Sequence, residues 1–573
     1  MKKIWIALLL VLAILLSACN TGNIIGSTDK TTTVPFEHPT YEDDPGICPG
    51  PGEDDTTTGN GGENDTTTGD NGEDNTTTDN NGEDNTTTGD NSGNEEDSST
   101  GNGNGDNVED DPNKNNHKDS DNNGYCDVCK RYIVVTIDFY SINDLHGKLE
   151  DGDNHPGVDE MTAFLKARMS IDDYTVFLSA GDMWQGGSAS NGTKGKITTD
   201  WMNHLGFDAM ALGNHEFDWG EDAIKANVAI AEFPILAINV YDNATGQRVD
   251  YCKPSVMIER GGAQIGIIGA IGDCYSSISS EMTKGVNFKT GSQLTALVKA
   301  ESEKLRSEGA DIIIYVIHDN STESGSYDSS LSRDGYVDMV FGGHSHSSYV
   351  TTDSYGVPHL QGGGDNSRGM THVEVDVNYA NGNVKYNITG YVNHSEYTSM
   401  TGDPIIKNLI NKYWDEIGWI YNELGYNAKY RNSSFIGSTV AKLYYEAGVE
   451  RWGDKYDIVL GGGSLNLRSP YELNVGNVQY SDLQMILPFD NPLYLCSIKG
   501  SDLKSKFLNN SSYKTYSSIS TSQIDNNKTY YIICDSWTAL YAWAKCTVVE
   551  QYDETTFARD LLAQYIRDGG YAK

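Results

Sequence analysis

Cationic residues are scarce in this chain of 573 residues: 41 Lys and Arg face 82 Asp and Glu, for a net charge of −41 at pH 7. A surface of that sign repels phosphodiester backbones, which excludes polymeric nucleic acid as a partner. Large apolar residues are missing from one long stretch. Between Pro51 and Asp110 there is no aromatic residue and a single large aliphatic one, Val108, so nothing there offsets the entropy lost on ordering the chain. The decamers "DTTTGNGGEN", "DTTTGDNGED", "NTTTDNNGED" and "NTTTGDNSGN" begin at Asp55, Asp65, Asn75 and Asn85. They lack the apolar positions through which repeats stack, so a solvated tether is expected rather than a calcium-binding array. Asn20 to Lys130 holds 27 acidic and 4 basic residues, a net of −23, against −20 for the 443 residues that follow. The acidity is therefore largely a property of the tether. The N-terminal apolar run, Ile4 to Leu16, has 13 residues, too few to span a bilayer as a stable helix.

That run follows Lys2 and Lys3 and precedes Ser17, Ala18 and Cys19, the order of an export signal. Leu16 to Cys19 resembles the lipobox of bacterial lipoproteins, which implies a lipid anchor on Cys19 after cleavage. The expectation is a signal over 1–19, a tether over 20–130 with an end-to-end span of about 60 Å, and a folded part outside the cytoplasm, attached to the membrane or cell surface through Cys19. The tether ends in "DSDNNGYCDVCK", Asp119 to Lys130. Asp119, Asp121, Asn123 and Gly124 are similar to the first half of an EF-hand loop, but Lys130 stands where the twelfth-position carboxylate belongs. Cys126 and Cys129 are too few for zinc without further ligands, and a local disulfide is an equal alternative. The pairing of Cys48, Cys252, Cys274, Cys496, Cys534 and Cys546 cannot be deduced from spacing.

From Tyr132 the composition becomes globular. Strand-like runs end repeatedly in the same kind of residue: "YIVVTIDFYSI" leads into Asn143, Asp144, Leu145 and His146, "TVFLSAGD" ends at Asp182, "FDAMALGN" at Asn214, "DIIIYVIH" at His318, and "VDMVFGGHSH" at His344 and His346. Buried strands separated by helices imply an α/β sheet, whose sites collect at the strands' C-terminal ends. A lone histidine is usually structural, but metal-type ligands closing five strands in one chain are not explained by chance.

The series "NDLHG", "GDMWQGG", "GNHEFDWG", His318 and "GGHSH" resembles the metallophosphoesterase signature, and "GNHEFDWG" resembles its 5′-nucleotidase branch. The resemblance covers about Tyr132 to Asn393. It implies two divalent metal ions (Zn, Mn, Fe or Co), one held by Asp144, His146, Asp182 and His346, the other by Asp182, Asn214, His318 and His344, with Asp182 as bridge. It implies His215 and Asp218 as the catalytic pair and gives Glu216 no direct role. The "IHDN" at His318 departs from the family, which more often has a small residue soon after the histidine. The chemistry suits those residue types: two cations screen an anionic phosphate and acidify the attacking water, and mixed oxygen and imidazole donors suit borderline metals.

"DPIIKNLINKYWDEIGWIYNELG", 403–425, has helical spacing, Pro404 near its first turn and a closing glycine, and is expected to be an interdomain helix. The remainder carries its own strand-like runs, "YDIVLGGG", "PLYLCSIKG" and "TYYIICDSW". "GGGSLNLR" and "LPFDN" resemble the glycine-rich and proline-phenylalanine stretches of the 5′-nucleotidase C-terminal domain, which implies Arg468 on the substrate's anionic or ribose side, Phe489 against a nucleobase and Asn491 bonded to that base. Core packing is the rival reading for Phe489. Arg431, Trp537, Tyr541 and Trp543 are further candidates for the substrate pocket.

The expected fold is α/β: a layered metallophosphoesterase β-sandwich flanked by helices over 131–400, a helix over 401–425, and a second α/β nucleotide-binding domain over 426–573. The expected function is hydrolysis of nucleoside 5′-monophosphates. The alternatives are a 2′,3′-cyclic nucleotide 2′-phosphodiesterase/3′-nucleotidase, a UDP-sugar hydrolase, and a non-catalytic surface binding protein on the same scaffold.

Overall fold

The computed structural model describes residues 117–573 except 129, 131, 152–155, 171–173, 323–326, 365–368, 381, 469–471 and 541–543. The export signal, Cys19, the repeats, Cys48, Cys129, Tyr541 and Trp543 lie outside the described residues.

Apolar strands, the central ones buried along nearly their whole length, pair into two six-stranded sheets. The first runs, in spatial order, Asn383–Val392, Met370–Asn378, Val134–Ile142, Thr175–Ser179, Ala209–Ala211 and Ile235–Leu236. The second runs Tyr349–Thr352, Pro358–Gln361, Met339–Gly342, Ile312–His318, Ala263–Ile271 and Ser255–Arg260. Facing side chains Ile137, Phe139, Val176 and Leu178 of the first meet Ile265, Ile267, Ile314 and Val316 of the second, so the sheets form a sandwich. The alternate residues point outward. Tyr140 and Phe177 join Phe164 and Trp201 from helices Asp159–Met169 and Lys196–Leu205, while Ile313 and Tyr315 join Leu294, Val298 and Leu305 of helix Ser292–Ser307. This is the expected helix-flanked β-sandwich.

Val134–Ile142 runs parallel to Thr175–Ser179, and Ala209–Ala211 continues the parallel set. In the other sheet Ala263–Ile271, Ile312–His318 and Met339–Gly342 are parallel too. Parallel order brings the C-terminal ends of the ligand-bearing strands to one edge of the sandwich, as the α/β rule requires.

A third sheet has the order Lys514–Ser517, Ile458–Gly463, Thr529–Asp535, Leu493–Lys499 and Thr547–Gln551. It is covered by the helix Ser433–Trp452, capped by Asn432, whose side chain accepts from Phe435 N at 2.9 Å. A β-carbon on Gly461 would lie 2.3 Å from Tyr445 N, so helix and strand meet closely only because "GGGSLNLR" begins with glycine.

Two expectations need correction. The helix expected over 401–425 is broken into Ile405–Lys412, Trp414–Ile417 and a 3-10 turn Gly418–Tyr421, after which Glu423–Asn427 is a strand paired with Gly476–Gln479. Leu424 and Asn427 are buried and Glu423 and Tyr426 exposed, a three-residue spacing set by a β-bulge between Glu423 and Gly425, and cross-strand pairing overrides the helical pattern before it. The tether ends earlier than residue 130. Asp119 accepts hydrogen bonds from Asn123 N and Gly124 N at 3.0 Å and from Asn378 Nδ2 at 2.9 Å, which ties the loop to strand Met370–Asn378. Cys126 is buried beside Ile133. The half EF-hand pattern thus closes a loop with its carboxylate.

Candidate metal centre and substrate side

Seven side chains from five strand ends converge. Asp144, His146, Asp182, Asn214 and His318 are fully buried, and His346 stands partly open at the surface with a side chain 37% exposed. The ligand-type atoms of Asp144, His146 and His346 lie within 4.8 Å of one another, as do those of Asp144, Asp182 and His318. His146 Nε2 is 3.0 Å from His346 Nε2, His318 Nε2 is 3.1 Å from Asp182 Oδ2 and 3.1 Å from Asn214 Oδ1, and the rings of His318 and His344 are 5.5 Å apart. All seven residues expected to hold metal are together.

The imidazoles are oriented from behind. His318 Nδ1 donates to Ala180 O at 2.6 Å and His146 Nδ1 to Gln185 O at 2.9 Å, which turns each Nε2 into the cluster, the nitrogen a metal ligand offers. Asp144, His146, Asp182, His344 and His346 all hold left-handed backbone, φ 50° to 67°. Such strain costs on the order of 1–3 kcal/mol per residue and gathers where a site over-determines geometry. Electrostatics agree. Burial opposes charge on Asp182, yet His318 and His215 hold its carboxyl well below the ordinary range. Burial also opposes protonation of His318, and the Asp182 charge overrides it and pushes that imidazole up to about 10. Around Asp182 the field favours positive charge, whereas burial and Arg468 hold His146 well below its ordinary range and burial and His318 lower His344; the carboxylate, amide and imidazole donors fit borderline divalent cations.

The stretch "ALGNHEFDWG" is accounted for residue by residue. A β-carbon on Gly213 would lie 2.2 Å from Asp182 Oδ1, so only glycine lets the carboxylate approach. Asn214 contributes its Oδ1 to His318. His215 N donates to Asp182 Oδ1 at 2.8 Å, and His215 Nδ1 lies 2.8 Å from Asp218 Oδ2. Burial lowers the His215 pKa, but Asp218 and Asp182 outweigh it and raise it. Glu216, fully buried, accepts N–H bonds from Gly213 at 2.7 Å, Met183 at 2.8 Å, Asp182 at 2.9 Å and Trp184 at 3.3 Å. Burial and the Asp182 charge raise its carboxyl to about 7. Its work is to pin the Asp182 loop to the Asn214 loop, a function no local pattern reveals. The unusual Asp319 after His318 accepts from Asp273 N at 2.9 Å and Asn320 N at 2.7 Å, so it shapes the turn.

Phe489 and Arg468 reach this cluster. The Phe489 ring lies 5.8 Å from that of His215, the Arg468 guanidinium lies 5.5 Å from the Phe489 centroid, and His215 is 5.3 Å from His146. Phe489 is half-buried, which removes the core-packing reading. Arg468 Nη2 is 3.3 Å from Gln185 Oε1, while the buried Gln185 Nε2 has no hydrogen-bond partner among the described residues. A buried donor left without an acceptor is costly unless a ligand supplies one. Sequence reasoning passed over Gln185 inside "GDMWQGG". It also missed Arg559, a buried arginine of helix Ala558–Arg567 that donates to Phe489 O at 3.0 Å and Leu487 O at 3.3 Å and pairs with Asp490. Asn491 Oδ1 accepts from Ser536 Oγ at 3.3 Å. Arg431 stacks on Phe435 and Tyr571 and bonds Lys573 O at 3.3 Å, which is a structural role.

Residues 137–348 match the family model for calcineurin-like phosphoesterases. This segment is a calcineurin-like phosphoesterase domain. The chain is 25% identical over 465 residues to the protein UshA of Yersinia enterocolitica, spanning 68% of this chain and 82% of that one, and 27% identical over 418 residues to a 5′-nucleotidase of Diplobatis ommata, spanning 64% and 69%. Among solved structures, the 5′-nucleotidase precursor of Thermus thermophilus superposes with a TM-score of 0.59 at 18% identity, covering 76% of this chain and 96% of that one. The sulfate thiohydrolase SoxB has the same fold, with a TM-score of 0.54 at 14% identity over 76% of this chain and 94% of its own. The protein is a phosphoric ester hydrolase related to UshA and the 5′-nucleotidases. No helix among the described residues is long and apolar enough to cross a membrane.

Proposed function

We propose that this protein is an extracytoplasmic nucleotide phosphohydrolase that releases phosphate from nucleoside 5′-monophosphates. One observation carries the reading: Phe489 and Arg468 stand beside His215, at the edge of the phosphoesterase cluster. An aromatic face next to a cation, a few ångströms from the ester-cleaving groups, suits a ligand with a base at one end and a phosphate at the other.

In this reading Asp144, His146, Asp182 and His346 would hold one divalent cation, and Asp182, Asn214, His318 and His344 would hold a second. When bound, such a pair screens the phosphate charge and acidifies the attacking water. His215, kept in place by Asp218 at Nδ1, offers Nε2 to the transferring phosphoryl group or to the leaving oxygen. Arg468 and the unpartnered Gln185 Nε2 bind anionic oxygens. Phe489 stacks on the base and Asn491 bonds to its edge. We assign the phosphoesterase domain to the chain up to about residue 400 and substrate selection to the residues after 425, with the export signal and Cys19 anchoring the enzyme outside the cytoplasm.

The test is steady-state hydrolysis by the full chain of AMP, 2′,3′-cyclic AMP, UDP-glucose and p-nitrophenyl phosphate with Mn²⁺, Zn²⁺ or Co²⁺. The reading expects the highest kcat/KM on AMP. A preference for the cyclic nucleotide or the sugar nucleotide replaces it with the corresponding alternative, and metal binding without turnover of any ester replaces it with a binding protein.

A further inference from the structure

A second donor cluster shares no residue with the Asp144–His346 centre. Cys496 on strand Leu493–Lys499, Cys534 on strand Thr529–Asp535, and Cys546 just before strand Thr547–Gln551 bring their sulfurs within 4.8 Å of one another. Cys496 and Cys534 are fully buried, and Cys546 is partly open. They belong to a core cluster with Leu460, Ile498, Leu503, Phe507 and Ile532, and the buried Asp535 follows Cys534 in the chain. Three thiols gathered in such a core make poor hydrogen bonds to one another, so burial alone does not account for them.

A disulfide is the first alternative, and the strand register argues against it for the two buried thiols. Tyr494 is opposite Cys534 and Cys496 is opposite Ile532, so the cysteines are diagonal neighbours. Diagonal positions hold their α-carbons about 7–8 Å apart, beyond the roughly 4.4–6.8 Å a disulfide spans. The sulfurs of Cys496 and Cys534 stand 3.7 Å apart. Two thiolates on one tetrahedral zinc ion, with bonds of about 2.3 Å, stand about 3.8 Å apart.

We propose that Cys496, Cys534 and Cys546 form a thiolate site for a soft d10 cation of the zinc class, separate from the phosphoesterase centre. Thiolate donors select such cations over Mg²⁺, Ca²⁺ or Mn²⁺. Binding deprotonates the three thiols and releases their protons to solvent, forming three sulfur–metal bonds without oxidation. The bound cation links three strands of the third sheet at the side where Cys546 meets the surface.

The experiment is a Cd²⁺ titration of the full chain purified under reductant, followed by the ultraviolet sulfur-to-cadmium charge-transfer band. One equivalent per chain is expected to develop the band. Cys274→Ser, which removes the thiol near His318 and His344, should keep it. Cys546→Ser should weaken Cd²⁺ affinity by more than the roughly 10- to 100-fold that loss of an outer-shell partner costs, while hydrolysis of p-nitrophenyl phosphate stays unchanged. An unaltered band in Cys546→Ser overturns the proposal, as does a disulfide joining any two of the three cysteines in protein isolated without reductant. If the variant does not fold, X-ray absorption at the cadmium edge of the wild type decides: three sulfur neighbours support the site, and nitrogen and oxygen neighbours alone remove it.

Discussion

The phosphoesterase centre and the substrate side meet at His215, yet they are built differently. The centre is made of mostly buried residues on strand ends, five of them in strained left-handed backbone, with His318, Asp144 and Asp182 held by a carbonyl, an N–H and a carboxylate. The substrate side is made of half-buried residues on loops, with Phe489 held by its own carbonyl through Arg559. In the proposed reading the centre fixes the reaction and the loops choose the molecule that undergoes it. That the sulfate thiohydrolase SoxB shares the fold fits this division, because fold alone does not name a substrate. The comparison breaks if a change in the centre is mild or if a change on the loops disables every substrate alike.

The largest effect is expected at the centre. Asp182→Asn removes a charge that two cations share in the proposed arrangement, a loss of several kcal/mol of transition-state stabilisation, or roughly 10³-fold in kcat. Metal content should fall with it. Because Asp144 is the carboxylate common to both atom clusters, Asp144→Asn is the matched control. If Asp182→Asn keeps both metals and wild-type turnover while Asp144→Asn loses them, the bridge belongs to Asp144.

His215→Ala comes next. A proton donor or phosphoryl-binding group contributes roughly 10²- to 10⁴-fold, so turnover should drop by that factor on nucleotide and simple ester alike. Metal content should stay intact, since the His215 side chain bonds Asp218 and none of the seven ligand candidates. Metal loss in this variant would show that a ligand has been taken for a catalyst.

Legibility in the sequence follows the same division. The buried strands and the ligand candidates that close them could be read because an apolar strand ending in Asp, Asn or His is a local pattern, whereas the sandwich followed from the family resemblance. The left-handed conformations at Asp144, His146, Asp182, His344 and His346 could not, because no glycine marks them. Glu216 was visible as a motif letter, but its four N–H donors come from two loops. Arg559 grips Phe489 O from 70 residues away, and no window along the chain contains both. The helix expected through Gly425 failed where Glu423–Asn427 finds a strand partner more than fifty residues on.

The third prediction sharpens the substrate side. Stacking of an aromatic side chain on a base is worth roughly 1–3 kcal/mol, so Phe489→Ala should lower kcat/KM for AMP about ten- to a hundredfold. It should scarcely change p-nitrophenyl phosphate hydrolysis or the melting temperature, since Phe489 is not a core residue. Arg468→Ala should spare the small ester in the same sense, though less completely, because its guanidinium also contacts Gln185. Equal losses on both substrates would join Phe489 to the catalytic centre and erase the distinction between the two regions.

The smallest effect is expected at the proposed tether, whose stretch from Pro51 to Asp110 has almost no apolar side chains with which to pack. Deleting 20–110 removes a segment whose only large aliphatic residue after Pro51 is Val108, so kcat, KM and the melting temperature of the soluble protein should be unchanged. Asp119→Ala changes a single side chain, yet it strips the loop of three hydrogen bonds, one of them to Asn378 on the sandwich. It should lower the melting temperature by a few degrees and leave kcat alone, because the loop touches strand Met370–Asn378 and no residue of the centre. Differential scanning calorimetry of the two variants measures both outcomes. A deletion that destabilises more than the point change would mean that the acidic repeats dock on the folded part, and the tether would then belong to the fold.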